Sequence, residues 1–177
     1  TEFVRIHSGY KLYFANMELD ILQTFEDLYP QSVANNGYDF NSSSTIFAIT
    51  VGGQRIMFLG DVSDVGATRL VSVFGNSLKS DFLQIAHHGL NNGWNIKSLY
   101  QKIDAQYVLY PAPLEWYRAN ASKEANYYIS TESNTVKQVF VSGVQNVTLS
   151  LPYDGSLFDG EKIPMPQDET EVDRPAQ

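Results

Sequence analysis

At 177 residues the chain has the length of one ordinary domain, with 43% hydrophobic and 13% aromatic residues, enough to bury a real core. Its net charge of −8, with no gathering of Lys and Arg, argues against a duplex-binding surface built on phosphate neutralisation. Cysteine is absent, which removes any disulfide framework or thiolate metal site, and no run reaches the roughly 18 apolar residues of a membrane span. The chain starts at Thr1 and carries no signal peptide; it reads as a piece of a longer protein, and its compartment stays open.

In chain order, Val4–Ile6 and Tyr10–Phe14 flank His7-Ser8-Gly9 and read as strand, turn, strand. Leu19–Leu22 reads as a strand running into a short helical turn that Pro30 stops, and 31–44 is polar, Asn- and Ser-rich loop. Two β-branched and aromatic runs, 45–51 and 54–60, meet at Gly52-Gly53 and predict a hairpin. Val65–Phe74 has helical apolar spacing; Phe82–Ala86 is a short buried strand; Ile96–Ile103 is an amphipathic helix. Tyr107–Tyr110 is a strand closed by Pro111 and Pro113, 122–130 is helical, and 136–142 and 147–151 are strands that can pair. Trp116-Tyr117 falls in a loop on this reading. From Asp159 onward the sequence is acidic and Pro-containing, which divides the chain into a domain at 1–158 and a tail at 159–177. Alternating strands and helices predict an α/β (α+β) arrangement of sheet covered by helices.

Two strand ends carry the chemistry. Phe58-Leu59-Gly60-Asp61 ends one apolar run, and Ile85-Ala86-His87-His88-Gly89 ends another. A carboxylate and imidazoles at strand ends are suitable ligands for a divalent metal: anionic oxygen plus neutral nitrogen. Asp61 also suits a simple turn, and Asp64 a helix cap. On an extended segment His87 and His88 point to opposite sides, so only one faces a given site. His7, at a turn, reads as structural. Leu90–Trp94 and Trp116-Tyr117 offer aromatic loops that either face substrate or pack.

These pieces, with Asn41-Ser42-Ser43-Ser44 ahead of them, resemble the C-terminal half of a metallo-β-lactamase-fold hydrolase. The resemblance is to the branch of bacterial competence-protein hydrolase domains and choline-phosphate esterases, and covers roughly Val4 to Leu151. It implies half of an αββα sandwich: a mixed sheet with helices on one face and the N-terminal half missing. It also implies a dinuclear, zinc-type centre that activates water against an ester, phosphoester or amide. Asp61 would bridge the metals, His88 would bind one of them, and His87 would stand beside it as an orienting group.

The sequence departs from that pattern in two ways. With three histidines in all, it cannot contain the family's His-x-His-x-Asp-His motif, so the isolated chain is expected to bind metal weakly and to be inactive. Leu90 follows His-His-Gly where competence domains usually have Ser, and no His-Pro follows the next strand, which weighs against a competence-type DNA nuclease. A degenerate, non-catalytic binding module on the same fold is the other alternative. Half a sandwich would also expose an apolar sheet face, which favours a homodimer. Substrates of the parent would be small molecules or phosphoesters, with nucleic acid disfavoured.

Overall fold

A computed structural model describes residues 3–28, 40–90, 93–144 and 146–156. The acidic segment 159–177 and most of the loop 31–44 lie outside the described residues. Among the described residues, seven strands form one mixed sheet in which order in the sheet equals order in the chain. They are β1 (Lys11–Phe14), β2 (Met17–Gln23), β3 (Ile46–Val51), β4 (Gln54–Phe58), β5 (Phe82–Gln84), β6 (Tyr107–Tyr110) and β7 (Gln138–Val141).

The sheet has two regimes. From β1 to β4 neighbouring strands are antiparallel, and from β4 to β7 they are parallel. The predicted hairpin is β3–β4, with Gly52 (φ +59°) and Gly53 (φ +79°) supplying the left-handed residues its two-residue turn needs. Parallel pairs need crossovers, and helices provide them: α1 (Asp64–Phe74), α2 (Trp94–Ile103), then α3 (Leu114–Asn120) and α4 (Glu124–Tyr127), which runs into a π turn at Tyr128–Glu132. Right-handed crossovers advancing in one direction place all their helices on the same face. The core records this: Ala48, Met57, Leu59, Leu83, Val108 and Val139 alternate along the strands and bury against Leu70, Ile96, Leu99, Tyr100 and Tyr117. The fold is thus α+β, a mixed sheet with helices on one face.

Four expectations are corrected. Val4–Ile6 forms no strand, because the backbone at Gly9 and Tyr10 bonds to Ile21 and continues into β1 instead of folding back. Trp116 and Tyr117 lie in a helix, not a loop; Tyr117 is buried, its ring edge-on to Tyr110 at 4.7 Å. Ser63, not Asp64, occupies the N-cap position of α1, and Asp64 lies in its first turn, where a carboxylate favours the helix dipole. Residues 147–151 do not pair with β7. They cross the helix-free face, where Val147, Leu149 and Leu151 pack on the cluster of Phe82, Tyr107, Phe140 and Tyr153. Gln54 fastens the end of this crossing, its amide oxygen accepting from the Tyr153 N–H at 2.6 Å and its amide nitrogen donating to the Tyr153 carbonyl at 2.9 Å.

The helix-free face is therefore covered at one end. At the other end Met17, Leu19, Phe47, Ile49, Val51 and Phe58 are only half-buried, and Phe14 on β1 is exposed.

Candidate metal centre

The parallel strands β4, β5 and β6 end side by side, so the residues just beyond them meet at one edge of the sheet, the usual place for chemistry in such sheets. Asp61 follows β4, the His pair follows β5 and Pro111 follows β6. Asp61 and His88 are brought together there: His88 Nε2 stands 3.9 Å from Asp61 Oδ1, with both side chains about half exposed (53% and 46%). The other ring nitrogen, His88 Nδ1, lies 2.7 Å from the Pro111 carbonyl oxygen. A carbonyl only accepts, so Nδ1 carries the proton and donates it. In the neutral ring that leaves Nε2 as the lone-pair nitrogen, on the side that faces the carboxylate. A backbone carbonyl fixing one imidazole nitrogen while the other is presented is how metal-binding histidines are held.

The local backbone differs from the extended segment expected. Residues Ala86–Gly89 form a tight turn in which His87 (φ +48°, ψ +46°) and His88 (φ +52°, ψ +24°) are both left-handed. Two consecutive non-glycine residues there cost on the order of 1 kcal/mol or more each, and such strain collects at functional sites. The alternation argument therefore does not apply, and the two rings lie with centroids 6.3 Å apart, tilted by 60°. Gly89 closes the turn at φ +79°, and a Cβ there would sit 1.8 Å from the Tyr110 hydroxyl oxygen, so no side chain fits. Asn126, buried, donates to the Gly89 carbonyl at 2.8 Å and to that of Asn120 at 3.0 Å.

His87 has a different role from His88. Its N–H donates to the Gly60 carbonyl at 2.9 Å, tying together the loops that carry Asp61 and His88, and its Nδ1 lies 3.4 Å from the Asn41 amide nitrogen. The Asn41–Ser44 segment packs on the same edge: Ser44 Oγ accepts the Asp61 N–H at 3.2 Å, and Ser42 Oγ shares a hydrogen bond with Ser63 Oγ. Gly66 of α1 makes room for this segment, since a Cβ there would meet the Ser42 carbonyl oxygen at 2.6 Å. His7 precedes β1 and stands edge-on to Tyr10.

One contributor escaped sequence reading. Gln84, the last residue of β5, accepts with Oε1 from both the Leu59 and the Gly60 N–H at 3.2 Å each, and its amide donates to the Ile85 carbonyl. It continues the β4–β5 ladder past its last backbone pair and sets where Asp61 leaves the sheet. The only signal in the sequence is a polar side chain in an apolar strand.

Beneath the site lies a layer of buried tyrosines. Tyr100 accepts the Ala86 N–H at 3.0 Å, and burial pushes its phenol above the ordinary range. Burial likewise raises Tyr110, and Tyr117 to about 12.

As a metal site the donor set is partial. Among the described residues no group of three or more His, Cys, Asp or Glu could hold a metal ion. The strand end after β6, where the resemblance leads one to look for a further histidine, carries Tyr110-Pro111 and contributes a carbonyl. One carboxylate and one oriented imidazole suit a divalent cation chemically, but a zinc site needs further ligands.

No family model matches the chain. It is 34% identical over 67 residues to the competence protein ComA of Neisseria gonorrhoeae, a stretch covering 38% of this chain and 9% of that protein. Among solved structures it is similar to a mutant form of CmlA β-hydroxylase, with a TM-score of 0.42 and 14% identity over 62% of this chain and 25% of the other. The chain thus spans about a tenth of the first and a quarter of the second. No helix among the described residues is long and apolar enough to cross a membrane.

Proposed function

We propose that this chain carries the Asp-and-His portion of a metal-dependent hydrolase of the metallo-β-lactamase type, acting on an ester, phosphoester or amide. The observation that carries the reading is the orientation of His88: Nδ1 on the Pro111 carbonyl at 2.7 Å, and Nε2 turned to Asp61 at 3.9 Å. The partial similarity to ComA supports the same family. Asp61 and His88 would be metal ligands, and His87 a positioning residue through its backbone bond to Gly60. A bound zinc or similar ion supplies a water acidified toward a pKa of about 7 and a positive charge for the developing oxyanion. The chain's own residues fix the carboxylate and the imidazole tautomer, and Asn41, Ser44 and Gln84 hold the loops that bear them.

Two donors leave the site incomplete, so the isolated chain should bind zinc weakly and turn over no ester. Zinc titration followed by NMR of the three imidazoles tests this. His88 should respond first, and Asp61→Asn should weaken that response about tenfold, in line with the loss of one of two ligands. A response confined to His7 would sink the proposal. A non-catalytic module on the same fold is the second reading, and the absence of a third donor among the described residues favours it. Stoichiometric zinc and turnover in the isolated chain would overturn both the predicted inactivity and this second reading.

A further inference from the structure

Beside His88, at the ends of β6 and β7 and on the helix-free face, lies a cavity of about 280 Å3. Leu109, Phe140 and Val147 form its apolar walls, Pro111 forms the wall toward His88, and Ser142 and Asn146 stand at its polar side. Among the described residues, none that lines it is charged. The cavity differs from the open part of this face, around Phe47 and Ile49, in being walled by the chain's own crossing segment at Asn146-Val147. The residue that lines it, Pro111, is the one whose carbonyl holds the His88 ring, so an occupant lies one residue from the Asp61–His88 pair.

The geometry points to this cavity as the subsite for an uncharged apolar group of the substrate, an acyl chain or a ring, which deepens the hydrolase reading and rests on it. An apolar cavity of roughly 150 Å3 already accepts benzene, so the volume suits a ring or a branched chain. Burying a phosphodiester or carboxylate against Leu109, Phe140 and Val147 has no compensating cation and is unfavourable. Ser142 and Asn146 offer neutral hydrogen bonds that orient the bound group without selecting charge. Of the groups a substrate can present there, the cavity favours an uncharged chain or ring over one that carries negative charge.

The test uses the full chain, with phenyl butyrate and diphenyl phosphate as probes and backbone NMR as the readout. Phenyl butyrate should shift the amides of Leu109, Phe140, Ser142 and Val147 in a saturable way, and diphenyl phosphate should bind at least about tenfold more weakly. Val147→Trp should fill the cavity and abolish the ester-induced shifts. Asn146→Asp, a near-isosteric change at an exposed position that is safe for folding, should weaken the ester about threefold or more by adding charge. Equal binding of the two probes, shifts confined to Phe47 and Ile49, or indifference to both substitutions would overturn the assignment. Zinc is titrated separately: loss of the His88 response with ester binding intact removes the metal reading and leaves the subsite supported. The reverse result removes the subsite alone.

Discussion

The two faces of the sheet are almost equally apolar, yet they are finished differently. On the helix side Ala48, Met57, Leu59, Leu83 and Val108 are fully buried, while on the other side Phe47, Ile49, Ile56 and Phe58 keep part of their surface in water. Phe47 and Phe58 stack on each other at 4.9 Å, a cross-strand pair that shields itself in part. Strands apolar on both sides belong to sheets covered on both sides. Among the described residues, the second face is covered at its β4–β7 end by the crossing segment that ends at Tyr153. The contrast teaches that the helix-covered face stabilises the chain, whereas the other face offers contact surface. The candidate metal centre lies at the strand ends between them.

The largest effect that sharpens this contrast is on stability. Leu83→Ala should cost about 2–5 kcal/mol, and Phe47→Ser under about 1, in urea unfolding. Comparable losses at the two positions would break the distinction between the faces. Next comes the tyrosine layer on the helix side. Burial holds the Tyr100, Tyr110 and Tyr117 phenols above the ordinary tyrosine range near 10 in the folded chain, whereas in the unfolded chain they ionise within it. Their stabilisation is therefore complete below pH 10 and declines as pH rises from there toward about 12, by up to about 1.4 kcal/mol per pH unit for each phenol. Melting curves between pH 8 and 11.5 check the sign; flat stability through pH 11 would contradict the burial of these hydroxyls.

A smaller effect concerns the strand ends. Gln84→Leu should leave the fold intact and weaken zinc binding at His88 by several-fold to about tenfold, because the Gly60–Asp61 backbone loses its anchor. Gln84→Glu, which keeps the accepting oxygens, should restore most of it, a recovery that a merely structural role in the sheet would not produce. The smallest effect on the monomer belongs to the half-covered face. Ile49→Lys should change its stability by less than about 0.5 kcal/mol, yet abolish any dimer that forms through that face. Sedimentation at high concentration reads this directly, and a clean monomer before substitution would count against the dimer.

Much of this was readable from the chain alone. The Gly52-Gly53 hairpin, α1, α2 and β6 follow from turn chemistry and apolar period, because these elements are long or bounded by Gly and Pro. The gathering of Asp61 and the His pair at adjacent strand ends was readable in outline, from the order of motifs. By contrast α3 was missed because Pro111 and Pro113 precede it and aromatic residues fill it, which together resemble a loop. The crossing segment 147–151 alternates like a strand, and nothing local distinguishes pairing with β7 from packing across a sheet face.

What the sequence determined by itself was the kind of chemistry available: one carboxylate and a pair of imidazoles at the ends of buried strands, in a chain whose three histidines are too few to close a zinc site. Tertiary structure decided which nitrogen is presented and to what. The left-handed turn at His87-His88 is local, but the Pro111 carbonyl brought alongside by β6 and the Gln84 clamp on β4 are contacts between residues 23 and 24 positions apart. Ring orientation is set by hydrogen bonds across strands, and such bonds have no signature in local composition.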